Sequence, residues 1–411
     1  MQTILSYGMG VESTAILIRW LESAPVRPCR LDELIVITAH TGDEYADTYR
    51  DVETYVLPLL RRHRIRYVQV ARGGSSQTDG IVVLSDSRET ETLFWDGAYK
   101  LSDELRKAGT VPQFGGEHIC SLKFKAWVIE QWFAENLAQP TRHAFGYNAT
   151  ETKRVAKSEA ANARRVAFGF NAEEHKRIDK AMRYDTPSRQ SFYPLVEWGW
   201  TRDACIDYLF RTLGVLWQKS ACVQCPFNAL KDDALRRHQQ HPEQVADAML
   251  LEYVSLALNP RGTLYRNQSL IEITLASGNL QAVASYECKL ETTPWTVYRV
   301  RRIYHAAKAA DGTLIESKKG TAIRAVERLT EETDRIASLA HLQTLIEPSD
   351  ETVVLREIHY VYRQRCATSY PTREEFLVAA PAVVESKARY GLEWFEEQWN
   401  RRQQELFPLA A

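Results

Sequence analysis

The chain lacks any long uncharged apolar run, which is the first requirement for a membrane-spanning helix. Such a helix needs about 18 or more consecutive apolar residues, and the 411-residue sequence contains no stretch of that kind. Its first residues lead directly into a short apolar segment, so we expect no signal peptide. These absences predict a soluble, cytoplasmic protein.

An excess of charge of either sign is also lacking. Lys and Arg number 52 and Asp and Glu 53, which leaves a formal net charge of −1. Overall charge therefore cannot attract a nucleic acid, and any such partner requires a local basic patch. Apolar residues make up 45% of the chain and charged residues 26%, so we expect a folded globular protein with two domains.

The cysteine content does not indicate a disulfide framework. Seven cysteines, an odd number, occur in a long chain for which no signal peptide is expected. In a reducing cytosol such cysteines are expected to serve as metal ligands or catalytic thiols. Cys222 and Cys225 have the Cys-x-x-Cys spacing of a metal or redox site, whereas Cys29, Cys288 and Cys366 fit no ligand spacing.

The chain begins with a short strand, a glycine-containing turn and an apolar run suited to a helix. The strand ends at Ser6, and the turn contains Gly8 and Gly10. A turn of this kind directs backbone N–H groups to one point at the positive end of a helix dipole, which suits a phosphate or pyrophosphate. We expect the two glycines to permit close approach and positive φ, and the hydroxyls of Ser6, Ser13 and Thr14 to add donors.

Other interpretations of this turn are open from the residues alone. No Gly-Lys-Ser or Gly-Lys-Thr occurs in it, so it is not the P-loop of kinases and GTPases. Gly8-x-Gly10 satisfies half of a dinucleotide-binding loop, with Ser13 where the third glycine or alanine belongs. An ordinary strand-to-helix turn capped by Ser or Thr is the alternative that needs no ligand.

The next segments predict an α/β fold. Residues 34–39 form a continuous apolar run typical of a buried parallel strand, and 67–70 form another strand after a helical segment. This order predicts a doubly wound, Rossmann-like parallel sheet. Ligands bind beyond the carboxyl ends of such strands, where the loop 6–14 and the turn 41–44 would both lie. The polar segment 73–113 has no clear period, and we expect a mobile loop or an insertion over the site.

The loop 6–14 and the turn 41–44 resemble two motifs of the PP-loop ATP pyrophosphatases, also called adenine nucleotide α-hydrolases. The loop is similar to their S-x-G-x-(G)-x-(D/E)-S-T motif, and the turn to their D-T-G-x-E motif, with His40 in place of Asp. The resemblance implies a HUP-type fold in which the loop binds pyrophosphate and the turn lies beside the adenosine. It also implies cleavage of ATP between its α and β phosphates.

Another stretch resembles the phosphoadenosine phosphosulfate (PAPS) reductase branch of this superfamily. It is similar to the C-T-x-x-(Y/F)-K-I-x-P-I signature, which matches Cys120 and Lys125 to the family's cysteine and lysine. His118 stands where arginine is common, and Val128 where proline is common. Taken without the resemblance, Lys125 would be a solvated helix residue.

Two decapeptides, 146–155 and 169–178, both resemble the G-(I/F)-x-x-x-E-x-x-R motif of the reductase branch. The resemblance implies that one copy contacts the nucleotide, and we favour the second, with Gly169, Glu174 and Arg177. The alternative is a surface ion pair on one helical face.

The stretch around the Cys-x-x-Cys pair resembles the Y-P-L…K-S-A-C-x-x-C-P-F pattern of reductase-like proteins of phages and mobile elements. The resemblance implies that Cys120 lies near Cys222 and Cys225, so that three thiolates could hold a [4Fe–4S] cluster with one open iron. Zinc with Cys205 or His118 as a fourth ligand, and buried reduced cysteines, are the alternatives. The reductases' Glu-Cys-Gly-Leu-His tail is lacking, which argues against thioredoxin-linked reduction.

The family pattern fades near residue 258, so we predict a PP-loop domain over 1–258 and an accessory α+β domain over 259–411. Residues 321–329 are expected to begin a helix in the accessory domain. A basic patch there would suit single-stranded or tRNA-like nucleic acid, and a solvated charged face is the alternative. The patch would consist of Arg299, Arg301, Arg302, Lys308, Lys318 and Lys319, interleaved with Trp295, Tyr298 and Tyr304.

The residues and the resemblance together predict an enzyme that cleaves ATP to AMP and pyrophosphate and adenylates an acceptor, for sulfur transfer to a nucleic acid or nucleotide. Lys125 and Glu12 are the expected catalytic residues, and Mg²⁺ would neutralise the pyrophosphate. The alternatives are a sulfonucleotide reductase-like oxidoreductase and a nucleotide-binding subunit of a mobile-element defence or CRISPR complex. The expected nucleotide-binding residues are Ser6, Tyr7, Gly8, Gly10, Val11, Glu12, Ser13, Thr14, Ala39, Thr41, Gly42, Glu44, Gly169, Glu174 and Arg177.

Overall fold

The structure, a computed structural model, divides into two compact units. The first comprises Met1–Glu104 and Gly115–Asn228, and the second Leu105–Phe114 and Ala229–Ala411. The predicted boundary at residue 258 falls at the end of a helix inside the second unit. The structure describes residues 3–95, 97–112, 119–137, 141–144, 189–228, 232–266, 268–309, 311–346, 354–355, 358–364 and 369–406.

The first unit is built around a six-stranded sheet in the order β4-β3-β2-β1-β5-β6. All neighbouring strands are parallel except β3 and β4, which are antiparallel. The predicted α/β architecture with a largely parallel sheet is therefore confirmed. The strands are β1 (Thr3–Ser6), β2 (Leu34–His40), β3 (Arg66–Arg72), β4 (Ile81–Ser87), β5 (Thr141–Ala144) and β6 (Arg189–Phe192).

Helices alternate with these strands. They are α1 (Val11–Glu22), α2 (Ala46–Asp51), α3 (Leu57–Arg62), α4 (Leu101–Ala108), α5 (Ile119–Ser121), α6 (Trp127–Asn136), α7 (Pro194–Glu197) and α8 (Arg202–Leu213). Two π-helical turns, Val52–Val56 and Leu122–Ala126, join α2 to α3 and α5 to α6. The segment 73–113, for which a mobile loop or an insertion was expected, contains β4 and α4.

Apolar side chains cover both faces of the central strands. All seven residues of β2 are buried. Leu5 and Val36 belong to the cluster around α1, whereas Ile4 and Ile37 belong to a second cluster that contains Val128 of α6. Successive strand residues point to opposite faces, so a strand covered on both sides needs an uninterrupted apolar run. This explains the sequence pattern of residues 34–39.

The second unit combines helices with an antiparallel sheet in the order β12-β8-β7-β11-β10-β9. Its strands are β7 (Trp295–Lys308), β8 (Leu314–Arg328), β9 (Val354–Leu355), β10 (Ile358–Gln364), β11 (Thr372–Pro381) and β12 (Lys387–Ala388). Its further helices are α9 (Asp232–Gln240), α10 (Pro242–Leu258), α11 (Leu270–Ala276), α12 (Leu280–Thr292), α13 (Arg335–Leu345) and α14 (Leu392–Leu406).

The predicted helix at 321–329 is wrong, because this segment lies in β8. Its residues pair one by one with β7, with Ile323 opposite Ile303 and Val326 opposite Val300. Burial of these apolar side chains in the sheet outweighs local helix propensity. No helix in the described part of the chain is long and apolar enough to cross a membrane.

Candidate functional site

The loop that follows β1 is fixed to the neighbouring strand β2. The backbone N–H of Tyr7 donates to the carbonyl oxygen of Ile37 at 2.8 Å, and the Thr38 hydroxyl donates to the carbonyl oxygen of Tyr7 at 2.8 Å. The Tyr7 side chain is buried, which raises the pKa of its hydroxyl. The backbone of Tyr7 is thus bound to β2 and its side chain is buried, and its role as a nucleotide ligand stays a prediction.

The positive φ in this loop belongs to Met9 and not to the glycines. Met9 has φ of 60°, whereas Gly10 has φ of −86° and Gly8 is not among the residues with positive φ. The expected positive φ at the two glycines was therefore wrong. Burial of the Met9 side chain and a hydrogen bond from the Trp217 indole Nε1 to its carbonyl oxygen, at 2.9 Å, offset the cost of this conformation.

Gly10 lies close to a neighbouring segment. A Cβ atom at Gly10 would lie 3.1 Å from Oγ of Ser220, which is tighter than an ordinary van der Waals contact. At Gly8 a Cβ would meet nothing within 4 Å. The segment that precedes Cys222 thus borders the glycine turn.

The N-terminus of α1 carries no side-chain cap. Gly10 occupies the N-cap position and makes no side-chain hydrogen bond. The hydroxyls of Ser13 and Thr14 donate back to the carbonyl oxygen of Gly10, at 3.2 and 2.8 Å. The first-turn backbone N–H groups, including those of Val11 and Ser13, are therefore not capped by a side chain, which is the arrangement that favours an anion.

Glu12, a predicted catalytic residue, contacts a cation on another helix. Its buried carboxylate Oε1 lies 3.2 Å from Nη1 of Arg202, the first residue of α8. The two charged groups form an ion pair, but the geometry at Oε1 of Glu12 is not that of a hydrogen bond. Glu12 thereby links the start of α1 to the start of α8, and its catalytic role stays a prediction.

The turn after β2 is covered by the segment that begins α4. Gly42 has φ of 78°, and a Cβ there would lie 2.7 Å from Cγ of Lys100. The N–H of Leu101 donates to the carbonyl oxygen of Thr41 at 2.9 Å, and the N–H of Ser102 donates to the Asp43 carboxylate at 2.7 Å. Only glycine combines this φ with this contact.

The cysteine motif pairs with the same turn. Glu44 and Cys222 form an antiparallel β-bridge, in which the N–H of Tyr45 donates to Ala221 at 3.3 Å and the N–H of Val223 donates to Asp43 at 3.1 Å. The Thr41 hydroxyl lies 3.3 Å from the Cys222 sulfur. The turn 41–44 and the Cys-x-x-Cys motif, far apart in sequence, therefore form one site.

Lys125 completes this site through an ion pair with Glu44. Its Nζ donates to Oε1 of Glu44 at 2.7 Å, and the exposed fraction is 34% for the Lys125 side chain and 1% for that of Glu44. Burial lowers the pKa of Lys125, but the charge of Glu44 and the neighbouring thiols of Cys222 and Cys225 outweigh this effect and raise it above its usual value. The ammonium therefore stays charged at neutral pH.

The three predicted metal-ligating cysteines have different surroundings. Burial raises the pKa of Cys222 and that of Cys225, and Cys120 is close enough to raise the pKa of Cys225 further. Within the described ranges, however, no three Cys, His, Asp or Glu side chains are arranged to hold a metal ion. The donor set thus does not fit a ready-made centre. The iron–sulfur or zinc centre stays a prediction, and no step below depends on it.

Several predicted residues cannot be placed in this site. Gly169, Glu174 and Arg177 lie outside the described residues, as do the first decapeptide copy and His118 and Cys366. Ala39 is buried at the end of β2, immediately before His40 and the turn.

His40 is a buried neutral side chain next to the turn. Its Nε2 lies 3.1 Å from Oε1 of Gln69, which also accepts the backbone N–H of Phe94 at 2.9 Å. Burial lowers the pKa of His40 to about 4, and the charge of Lys125 contributes. The imidazole therefore contacts the site without carrying charge at neutral pH.

The free energy of unfolding should depend on pH through His40. Its pKa in the folded protein is below the unfolded value of about 6.5, so the unfolded state binds more protons between pH 6.5 and 4. The contribution of neutral His40 to the free energy of unfolding is complete above about pH 6.5. It decreases by about 3 kcal/mol as the pH falls to about 4. Denaturant unfolding of the wild type and His40→Asn at several pH values should show a shallower dependence in the variant; equal dependences would contradict the assignment.

The predicted basic patch of the second unit is not a free cationic surface. Arg302 pairs with buried Glu374 at 3.1 Å, and Arg299 pairs with Glu327 at 3.3 Å. Arg301 pairs with Glu396 and lies against aromatic rings of α14. Trp295 and Tyr298 are fully buried and cannot stack on bases. The three lysines of the predicted basic patch, Lys308, Lys318 and Lys319, are exposed.

Sequence reasoning missed four residues that border the site: Arg202, Trp217, Ser220 and Lys100. Ser220 belongs to the K-S-A-C segment, so the resemblance offered a signal for it, whereas Trp217 lies two residues before that segment. Arg202 and Lys100 carried no signal beyond their charge.

The chain was compared with protein-family models, curated proteins and solved structures, and it matched none of them.

Proposed function

We propose that the chain is an ATP pyrophosphatase of the PP-loop type, with a doubly wound HUP-type first unit, that adenylates an acceptor. One observation carries the proposal. The segment 220–223 lies against Gly10 at its start and pairs with the turn 43–45 along its length. The uncapped N-terminus of α1 and the Lys125–Glu44 pair thus border the same short segment.

The arrangement matches the needs of cleavage between the α and β phosphates. The backbone N–H groups of the first turn of α1 would hold the pyrophosphate part of ATP. Thr41 and Gly42 would lie beside the adenosine, since ligands bind beyond the carboxyl ends of parallel strands. The open space above Gly8 leaves room for a phosphate to approach the backbone.

In the proposed reaction an acceptor oxygen attacks the α phosphorus. The bond from this phosphorus to the bridging oxygen breaks, and pyrophosphate leaves with the electron pair. Lys125 stabilises the negative charge that develops on the leaving group, and Glu44 holds the ammonium in place before the nucleotide binds. Mg²⁺ that arrives with ATP would share this charge neutralisation. A sulfur nucleophile would then displace AMP from the adenylated acceptor.

The second unit is proposed to be the accessory α+β part that binds the acceptor. Its exposed lysines lie on the β7–β8 hairpin, where Lys319 also contacts the ring of Tyr304 at 4.5 Å. This cationic and aromatic combination suits a nucleic-acid backbone, although its arginines are already paired.

Turnover and binding assays on the full chain test the proposed function. The protein is incubated separately with ATP plus single-stranded nucleic acid as acceptor and with PAPS plus a dithiol reductant, and pyrophosphate and sulfite are measured. We expect pyrophosphate from ATP and no sulfite from PAPS. Sulfite release would favour the reductase-like alternative. Tight ATP binding without turnover, in the presence of nucleic-acid acceptors, would favour the nucleotide-binding subunit.

A further inference from the structure

A column of stacked rings extends outward from the candidate site. The His40 and Tyr49 ring centroids lie 6.1 Å apart with an interplanar angle of 19°. The Tyr49 and Trp95 ring centroids lie 4.7 Å apart with an angle of 11°. His40 is the last residue of β2 and directly precedes the turn 41–44, so the column starts at the edge of the sheet where the nucleotide is proposed to bind.

Trp95 at the outer end of the column is exposed but held in place. The residue is 43% exposed, and one face of its ring lies against Tyr49. The Tyr49 hydroxyl donates to the Trp95 carbonyl oxygen at 2.9 Å. Gln69 holds the preceding residues, because it accepts the Phe94 N–H and donates to the Thr92 carbonyl oxygen, each at 2.9 Å.

A partly exposed indole in an anchored segment differs from an ordinary surface side chain. Single exposed aromatic residues are common and need no partner. Here, however, the neighbouring Phe94 is also exposed, at 37%, and the segment that presents both rings is anchored by hydrogen bonds to α2 and β3. A rigid aromatic face loses little conformational entropy when a planar group stacks on it.

We propose that Trp95 is a stacking platform for a nucleobase of the acceptor, which makes the acceptor an unpaired or flipped base of a nucleic acid. This inference rests on the proposed function. The adenosine of ATP is expected beside residues 39–44, at the inner end of the column. Tyr49 separates His40 from Trp95, so Trp95 provides a second aromatic surface for a second base.

Binding of labelled single strands tests the platform. The probes are mixed-sequence DNA and RNA strands of about 12 nucleotides and an abasic DNA strand of the same length. Trp95→Ala should weaken binding of the base-containing strands roughly tenfold or more, whereas binding of the abasic strand should not change. Trp95→Phe should retain most of the affinity, because it keeps a flat ring. Phe210→Ala, which removes an exposed aromatic ring from α8, is the matched control and should bind like the wild type.

The dissociation constant for ATP and the ATP cleavage rate are measured on the same variants. Unchanged ATP binding in Trp95→Ala supports the assignment to the acceptor. The inference is overturned if Trp95→Ala binds the strands like the wild type, if the wild type does not prefer bases over the abasic strand, or if only ATP affinity falls. Trp95-dependent strand binding in a protein that does not cleave ATP would support the platform and reject the proposed function.

Discussion

Replacement of Lys125 by alanine should lower the rate of ATP cleavage about 1,000-fold. Its ammonium is kept charged by Glu44 at 2.7 Å and is proposed to stabilise the leaving pyrophosphate. Loss of one group that stabilises developing charge in a site shielded from water typically has an effect of this size. Release of pyrophosphate at saturating ATP measures the change in kcat.

The controls separate catalysis from stability. Lys125→Ala leaves the buried Glu44 carboxylate without its cation, which destabilises a fold. Lys125→Met combined with Glu44→Gln replaces both charges by neutral groups and should fold but remain inactive. Lys123→Ala removes a nearby lysine that pairs with Glu104 at 2.7 Å and should keep wild-type turnover. Wild-type turnover in a folded Lys125→Ala protein would falsify the proposed role.

A valine at Gly10 should weaken ATP binding about 100-fold, or about 3 kcal/mol. Gly10 directly precedes the uncapped first turn of α1, and a Cβ there already lies 3.1 Å from Oγ of Ser220. The branched side chain would take up space beside the N–H groups proposed to bind phosphate, whether or not Ser220 is present. The backbone at Gly10, with φ of −86°, is open to valine, so we expect the fold to survive. Titration calorimetry with ATP measures the affinity, and thermal unfolding checks the fold.

A second variant shows whether the phosphate site or the contact with Ser220 causes the defect. Ser220→Gly removes the hydroxyl that lies against Gly10. If the valine blocks the phosphate, Gly10→Val with Ser220→Gly should bind ATP as poorly as Gly10→Val alone. Recovery of affinity in the double variant, or normal affinity in folded Gly10→Val, would contradict the phosphate assignment.

The central sheet could be predicted from the sequence because its physical cause is local. Residues 34–39 are apolar except for Thr38, and this pattern is typical of a strand covered on both faces. Parallel strands end at one edge, which places the loop 6–14 beside the turn 41–44. The antiparallel strand β4 escaped prediction, since its residues are only partly buried and show no clear period.

The contacts that build the site depend on long-range packing that no local pattern encodes. The bridge between Glu44 and Cys222 and the ion pair between Lys125 and Glu44 join distant segments. The resemblance placed these residues in one site but did not predict which side chains pair. The ion pairs of the arginines in the second unit could not be predicted from the sequence either, because their carboxylate partners, such as Glu374, lie far away in the chain. The positive φ at Met9 depends on the Trp217 hydrogen bond and was equally hidden.

The position at which ATP is cut tests the central claim most directly. Samples of the full chain are incubated with Mg²⁺ and with ATP labelled with ³²P at either the α or the γ phosphate, in the presence of single-stranded nucleic acid. The proposed function predicts label from the α position in AMP or in the adenylated acceptor, and label from the γ position in pyrophosphate. Label from the α position in ADP, with γ label in orthophosphate, would contradict it.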